Sequence, residues 1–510
     1  MSADLAIGID LGTSGVAVVA LGRNGEVVAR ADRPIALYTP RPGWTQQDPP
    51  DWLAAAEEGL QAVATEVGSD RVAAIGLTGQ MHGMVALDAA ERVVYPAILW
   101  NDGRTAAQVE QIERLVGTAA VVQRTGNRPV TGFQLPKVLW LRDNEPDLFA
   151  RSRHVLFPKD YLGLHLTGRR YAEPADASGS GCFELATGDW DGQTLAALDL
   201  EPGLWPGLVR STEVVGELRS TVAARVGLAP GVPVVAGAGD NAAAATALGL
   251  SADAPALTGI VSLGTSGVVQ VPTQAPTPDP QGRVHLFAHA LGGYLLMGVT
   301  LAAGGSLRWY RDTFAPTRSY ADLMALAAMS EPGANGVTFV PYLAGERTPH
   351  MRADLRGSFH GLSLATTEAD VVRAVIEGVA FSLKDALSVM QPMMRPEIES
   401  DAGGGQGAGS HSPSRFLATR FLATGGGASS DLWLATIATL FDATLARPLG
   451  AGDEAYEVGA AEGAAVLAWR GVDVMVETAP LRAAEFEPAP EIARRLREAY
   501  ERYRGLSGAD

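Results

Sequence analysis

A chain of 510 residues, 47% of them hydrophobic, is too long for one core and fits two sizeable globular domains. Its 57 acidic against 40 basic side chains leave a formal charge of −17, which argues against a nucleic-acid or anionic-membrane partner and means that any anionic ligand needs a locally built site. The single cysteine, Cys182, rules out an intrachain disulfide framework and fits a reducing, cytoplasmic setting.

The N-terminus carries Asp4 and Asp10 and no basic stretch, so it does not read as a signal peptide, and no uninterrupted apolar run approaches bilayer length. Residues 5–10 and 16–21 read as strands, and Asn24-Gly25 before Val27-Val28 is a hairpin signal, so the chain opens with a meander. Asp48-Pro49-Pro50 leads into a helix, and 72–77 is a buried-type strand that ends at Gln80-Met81-His82-Gly83. The apolar run 97–100 delivers Asn101-Asp102-Gly103-Arg104 in the same way. Polar residues at the ends of successive strands are where an α/β architecture places its ligand.

From about 105 to 230 helical patterns alternate with loops that carry Pro158-Lys159-Asp160 and Asp176-Ala177-Ser178-Gly179. The strand 232–235 then runs into Gly237-Ala238-Gly239-Asp240-Asn241 and an alanine-rich helix, which puts Asp240 at a strand-to-helix turn. Aspartate there can simply cap the helix, but glycines at 237 and 239 would let a substrate approach more closely than a cap requires. The second half begins near 250, giving expected domains 1–247 and 248–510. In it Gly304-Gly305-Ser306 opens a helical segment, and Thr367 with Asp370 caps a long helix. Residues 401–414 are Gly/Ser-rich without apolar periodicity, so a disordered insertion is expected. The pentapeptide Arg-Phe-Leu-Ala-Thr follows twice, at 415–419 and 420–424, and the second copy is expected to be the strand that feeds Gly425-Gly426-Gly427.

One phrase organises the chain. Leu11-Gly12-Thr13-Ser14-Gly15-Val16 recurs letter for letter as Leu263-Gly264-Thr265-Ser266-Gly267-Val268, about half the chain later. A single such turn is weak evidence, since glycine and serine serve tight turns for conformational reasons alone. Two copies, one preceded by Asp10 and the other by Ser262, suggest paired domains whose turns offer N–H and O–H donors to phosphates, with a metal on the Asp10 side only. Phosphoryl transfer also needs a group that orients the attacking hydroxyl, and Asp240 is the candidate. His82 can be a solvated loop residue, although its place after a strand beside a glycine makes ligand binding an equal reading, and Trp100 and Asp102 can be packing and turn residues. Gly425-Gly426-Gly427 is either a flexible turn or a flat surface for a base, and Glu346-Arg347 reads as a structural ion pair.

Together, Gly8-Ile9-Asp10-Leu11-Gly12-Thr13-Ser14-Gly15, Gly79-Gln80-Met81-His82-Gly83, Ile98-Leu99-Trp100-Asn101-Asp102-Gly103-Arg104, Gly239-Asp240-Asn241-Ala242-Ala243, Ser262-Leu263-Gly264-Thr265-Ser266-Gly267 and Tyr342-Leu343-Ala344-Gly345-Glu346-Arg347-Thr348-Pro349-His350 closely resemble the FGGY carbohydrate kinase family, in its xylulokinase branch. The resemblance implies two actin-like (ribonuclease H-like) α/β domains flanking a deep catalytic cleft, and ATP with Mg²⁺ phosphorylating the terminal hydroxyl of D-xylulose. It would make Asp240 the general base and place Asp10 at the metal and phosphates, with Thr13 and Ser14 beside it. Met81, His82, Trp100, Asp102 and Asn241 would line the sugar pocket. Gly264, Thr265, Gly304, Gly305, Gly426 and Gly427 would hold the nucleotide. Ala17 stands where the family usually has a lysine or arginine, and Ala428-Ser429-Ser430 lacks a common arginine. Other readings of the same residues are a kinase for another ketose or polyol such as ribulose, a non-catalytic sugar-binding relative, and an actin-like ATPase acting on protein. The expected partners are a small sugar and ATP, with a homodimer left open.

Overall fold

The computed structural model describes residues 3–253, 258–394, 418–450, 456, 458–476 and 482–508, so the insertion expected at 401–414 lies outside the described residues. The first sheet is built from β1 (Leu5–Leu11), β2 (Gly15–Gly22), β3 (Val27–Pro34), β4 (Val72–Gly79), β5 (Val214–Glu217) and β6 (Pro233–Gly239), in the order β5-β6-β4-β1-β2-β3. The opening meander is antiparallel, whereas β1, β4 and β6 run parallel. The second sheet comprises β7 (Thr258–Leu263), β8 (Gly267–Thr273), β9 (His285–Ala288), β10 (Tyr294–Thr300), β11 (Arg420–Thr424), β12 (Thr444–Pro448) and β13 (Ala483–Phe486), in the order β9-β10-β8-β7-β11-β12-β13.

Each sheet therefore carries the same core: a meander whose first strand pairs in parallel with a strand from much later in its half, which pairs in parallel with another. The repeated phrase is the β1-to-β2 turn of one sheet and the β7-to-β8 turn of the other. Two actin-like α/β domains of mixed sheets are what the sequence leads one to expect, and β11 is the second copy of the pentapeptide.

Helix α1 (Pro49–Val67) starts on its prolines and buries Trp52, Ala56, Leu60 and Val63 in the core of the first domain. In the second, α2 (Glu368–Met390) is capped reciprocally by Thr367 and Asp370 and buries Val375, Val379 and Leu383 to 0% exposure. Each such side chain contributes about 1.5–3 kcal/mol of hydrophobic stabilisation. A less expected element is α3 (Ala460–Gly471), which comes from the far end of the chain yet packs its alanines on the first sheet beside Ala6, Ala74 and Val235. Gly8 and Gly76 make that possible, because a Cβ at either would stand 1.9 Å from a backbone oxygen of the helix.

Candidate active site

The site assembles at one edge of the first sheet because three of its strands are parallel. Leu11 and Gly239 both pair with Gly79, so β1, β4 and β6 end side by side, and Asp10, Met81-His82 and Asp240 emerge together. Gly237, at φ 75°, and Gly239 do not make room for substrate: a Cβ at 237 would strike Leu77 O at 1.6 Å, and one at 239 would strike Met81 Cγ at 2.6 Å. These glycines bring Met81 against the strand end, next to Asn241, whose Nδ2 lies 3.7 Å from Met81 Sδ.

A cavity of about 270 Å³ opens there between the domains. Met81, His82, Trp100, Asp240 and Asn241 all line it, joined by Phe133 from the same domain and by Ser266, His285, Phe287 and Arg347 from the other. Asp240 opens an eight-residue helix but does not cap it; the cap position is Gly239. Its Oδ1 accepts from Asn241 N (2.7 Å) and Asn241 Nδ2 (3.0 Å), leaving Oδ2 outside both bonds. Burial pushes its pKa up to about 6, with the Asn241 hydrogen bonds opposing.

His82 holds a left-handed backbone, φ 70°. Its Nδ1 lies 2.8 Å from Gly179 O, an acceptor, so Nδ1 carries the hydrogen and Nε2 is left as an acceptor. Burial lowers its pKa to about 3 and keeps it neutral. The fully buried Lys137 steadies this turn by donating to His82 O (2.8 Å) and to Gly132 O. Nothing in the sequence marked Lys137, because lysine on a helix face reads as solvated.

Trp100 donates Nε1–H to Thr13 Oγ1 (3.0 Å), and Thr13 donates to Gln80 Oε1 (3.2 Å). Gln47 closes the network through Thr13 O (2.8 Å) and Gln80 Nε2 (3.0 Å). The hydroxyl of Thr13, expected on the phosphates, instead ties the turn between β1 and β2 to the pocket wall, and Ser14 is the exposed member of that turn. Asp102 does not line the cavity. Its carboxylate, 0% exposed, is gripped by Arg104 at 2.7 Å and by Thr45 N at 2.6 Å, so it braces the Trp100 loop from behind.

The glycines assigned to the nucleotide converge on the second sheet's edge. Gly304 N donates to Gly264 O (2.8 Å), and Gly305 N and Ala303 N to Thr265 O (3.0 and 2.9 Å). Gly425, at φ 80°, turns the chain so closely that a Cβ would stand 2.9 Å from Gly264 N; Gly427 abuts Leu263, and Gly426 faces open space. Arg308, overlooked in the sequence, reaches this edge from the helix Gly304–Phe314 and donates to Thr265 Oγ1 (3.3 Å). It supplies on the second turn a cation that Ala17 does not supply near the first.

Asp10 stands just outside the cavity lining with Oδ1 buried and unpartnered. Burial first, then the charges of Asp240 and Glu462, push its pKa up to about 7 against the pull of Arg30. Glu462, at the start of α3, likewise keeps a buried, unpartnered Oε2. Orphaned carboxylate oxygens suit a divalent ion, although no set of three or more Asp, Glu, His or Cys among the described residues forms a ready-made metal cage. Mg²⁺ needs no such cage, because one or two carboxylates can hold it together with phosphates and water.

Two duplicated α/β domains with a polar pocket at the end of one sheet and glycine turns at the end of the other define a phosphotransferase of the actin-like type. Residues 5–248 match the FGGY family of carbohydrate kinases, N-terminal domain, and residues 259–469 match its C-terminal domain. The chain belongs to this FGGY family of carbohydrate kinases. It is 38% identical over 479 residues to a xylulose kinase from Staphylococcus epidermidis, covering 92% of this chain and 89% of that one. It is 40% identical over 401 residues to a xylulose kinase from Escherichia coli K12, covering 78% and 81%. The solved structure of a "xyloylose kinase" from Brucella ovis superposes with a TM-score of 0.87 at 36% identity, over 99% of both chains.

Proposed function

We propose that this kinase transfers the γ-phosphoryl group of ATP to the terminal hydroxyl of D-xylulose, giving D-xylulose 5-phosphate in the cytoplasm. The observation that carries the reading is the Asp240 carboxylate, with Oδ2 outside its protein hydrogen bonds, on the wall of a cavity shared with Met81, His82, Trp100 and Asn241. The names of its relatives supply the sugar, and the acceptor-rich wall suits a polyhydroxyl ligand. In this account Asp240 takes the proton of the attacking hydroxyl, while the turns at Gly264–Thr265, Gly304–Gly305 and Gly426–Gly427 hold the nucleotide. Asp10, with Glu462 nearby, would hold Mg²⁺, which when bound neutralises charge on the transferring phosphates. The two halves, divided near 247 and 248, close on the substrates and exclude water. The test is ³¹P and ¹³C NMR of the product: phosphate on C5 of D-xylulose is expected, and phosphate on another carbon, or none, overturns the reading.

Two further results follow from the site. Asp240 must be ionised to act as a base, and its raised pKa means that ionisation is lost as pH falls through about 6. With Mg²⁺ saturating, so that Asp10 stays ionised despite its own raised pKa, a plot of log kcat/KM against pH should be level above about 7 and fall with unit slope below about 6; a limb near pH 4 would exclude this carboxylate as the group titrating. Arg308→Ala should raise KM for ATP by roughly 5- to 30-fold, in keeping with loss of a charge-assisted contact, with KM for the sugar unchanged. Initial-rate kinetics with each substrate varied in turn would show it.

A further inference from the structure

The second sheet ends at an open edge, because β9 is its outermost strand. The N–H and C=O groups along such an edge need partners, and the first domain supplies them. Asn127, fully buried just after the helix Thr118–Thr125, donates Nδ2–H to Leu286 O (2.8 Å) and accepts from Leu286 N at Oδ1 (3.3 Å), as a neighbouring strand would. Ser178 Oγ accepts from Ala288 N (3.1 Å) two residues on. Gly126, at φ 75°, permits the close approach, since a Cβ there would stand 3.0 Å from Leu286 Cβ. The strand that carries His285 and Phe287 is therefore docked on the first domain before any ligand arrives.

This docking also fixes a proton. The backbone of Leu286 sets which way the Asn127 amide faces, and Nδ2 donates as well to Thr125 O (3.1 Å), so Oδ1 is left to accept. His285 Nδ1 lies 2.9 Å from that Oδ1 and must carry the hydrogen. The ring is neutral, because burial and the charge of Arg347 push its pKa down to about 3. It lines the cavity, stacked on Phe287 with centroids 5.5 Å apart and planes at 12°. Its Nε2, on the edge away from Nδ1, keeps a lone pair and has no hydrogen bond among the described residues. His82 reaches the same state by a separate route, through Gly179 O. Two acceptor-only nitrogens, one from each domain, thus border one cavity.

A nitrogen that can only accept needs a donor from the ligand, and a sugar carries one on every hydroxyl. We propose that His285 binds a sugar hydroxyl through Nε2, and that Asn127 is the positioning residue that holds the ring as an acceptor. The second domain, which carries the nucleotide turns, then contributes directly to sugar affinity. The inference rests on the ketose-kinase reading above.

The test is a double-mutant cycle read by isothermal titration calorimetry with D-xylulose and by initial rates. His285→Phe keeps a flat ring against Phe287 and removes the acceptor. It should weaken D-xylulose binding by roughly 5- to 30-fold, the cost of leaving one hydroxyl unpaired, with KM for ATP and kcat within about threefold. Asn127→Ala should weaken binding by roughly 3- to 10-fold on its own and by less than about twofold in the His285→Phe background, because it acts through that ring. Unchanged affinity in His285→Phe removes His285 from the sugar site, and losses that simply multiply remove Asn127 as its positioning residue. Should either variant not fold, a crystal structure of the unsubstituted protein with D-xylulose decides: His285 Nε2 within about 3.2 Å of a sugar hydroxyl is expected, and a sugar that leaves Nε2 without one overturns the proposal. Failure of the unsubstituted protein to bind and phosphorylate D-xylulose defeats the ketose-kinase reading instead, so the two failures are separable.

Discussion

Asp240→Asn is expected to lower kcat by about 10²–10⁴-fold, the span that a general base contributes, while leaving the dissociation constant for D-xylulose within a few-fold. Asparagine keeps the shape and can still accept from Asn241, but it cannot take a proton. The same substitution should stabilise the protein above neutral pH. Burial holds the pKa of Asp240 at about 6, above its ordinary value of 3.8, so the fold disfavours the ionised form. The group's favourable contribution is complete below about 3.8 and lost once pH rises past about 6. At pH 8 the amide escapes that penalty, which is worth at most about 2–3 kcal/mol from a shift of this size and less for a side chain facing a wet cavity. Higher thermal stability at pH 8 together with collapsed turnover is the combined signature. Unchanged turnover would remove Asp240 from the chemistry, and loss of sugar binding would make it a binding group.

Lys159→Met is expected to be the most damaging substitution away from the reacting atoms. Lys159, Asp160, Glu173 and Asp176 are all 0% exposed, and Nζ lies 2.5, 3.4 and 3.8 Å from the three carboxylates. Burial alone would lower the lysine pKa, but the three acids outweigh it and hold the cation charged. Without that cation the carboxylates face one another, a loss of about 3–5 kcal/mol for breaking a buried ion pair. The damage reaches the pocket, because Gly179 N bonds Asp176 O (2.9 Å), Gly179 O orients His82, and Ser178 Oγ accepts from Ala288 N (3.1 Å) across the domain boundary. Circular dichroism melts should show a fall of roughly 5–15 °C, and sugar affinity should fall with it. Asp176→Asn is the contrast: burial, then its neighbouring acids, disfavour the charged form of this carboxyl against the pull of Lys159, so removing its charge should cost less than removing the lysine that faces all three acids.

What the sequence made legible is what local spacing and repetition can carry. Strand ends announced Met81, His82, Asp240 and Asn241 as neighbours, and the repeated phrase announced the matching strand-to-strand turn of each sheet. Glycine runs at 304–305 and 425–427 met at Gly264 and Thr265 as one surface. What stayed hidden depends on which distant groups meet. His285 and Phe287 lie in β9, a short strand on the far side of the second sheet, and only domain packing places them opposite His82, with ring centroids 5.8 Å apart for His82 and Phe287. Asp102 looks like a ligand residue by position, yet the neighbouring Arg104 claims its carboxylate. Arg347 follows a glutamate in sequence, but their side chains diverge because the backbone turn sends Glu346 to Leu301 N and Ser382. Glu462 approaches Asp10 only because α3 crosses back to the first sheet, a step that no local pattern encodes.

The most direct measurement is ADP release by the purified protein across D-xylulose, D-ribulose, other ketoses, pentitols and no sugar, each with and without Mg²⁺. The expected result is the highest kcat/KM for D-xylulose, marginal release without sugar, and loss of release when Mg²⁺ is chelated. Faster release with another sugar, or release indifferent to any sugar, would contradict it.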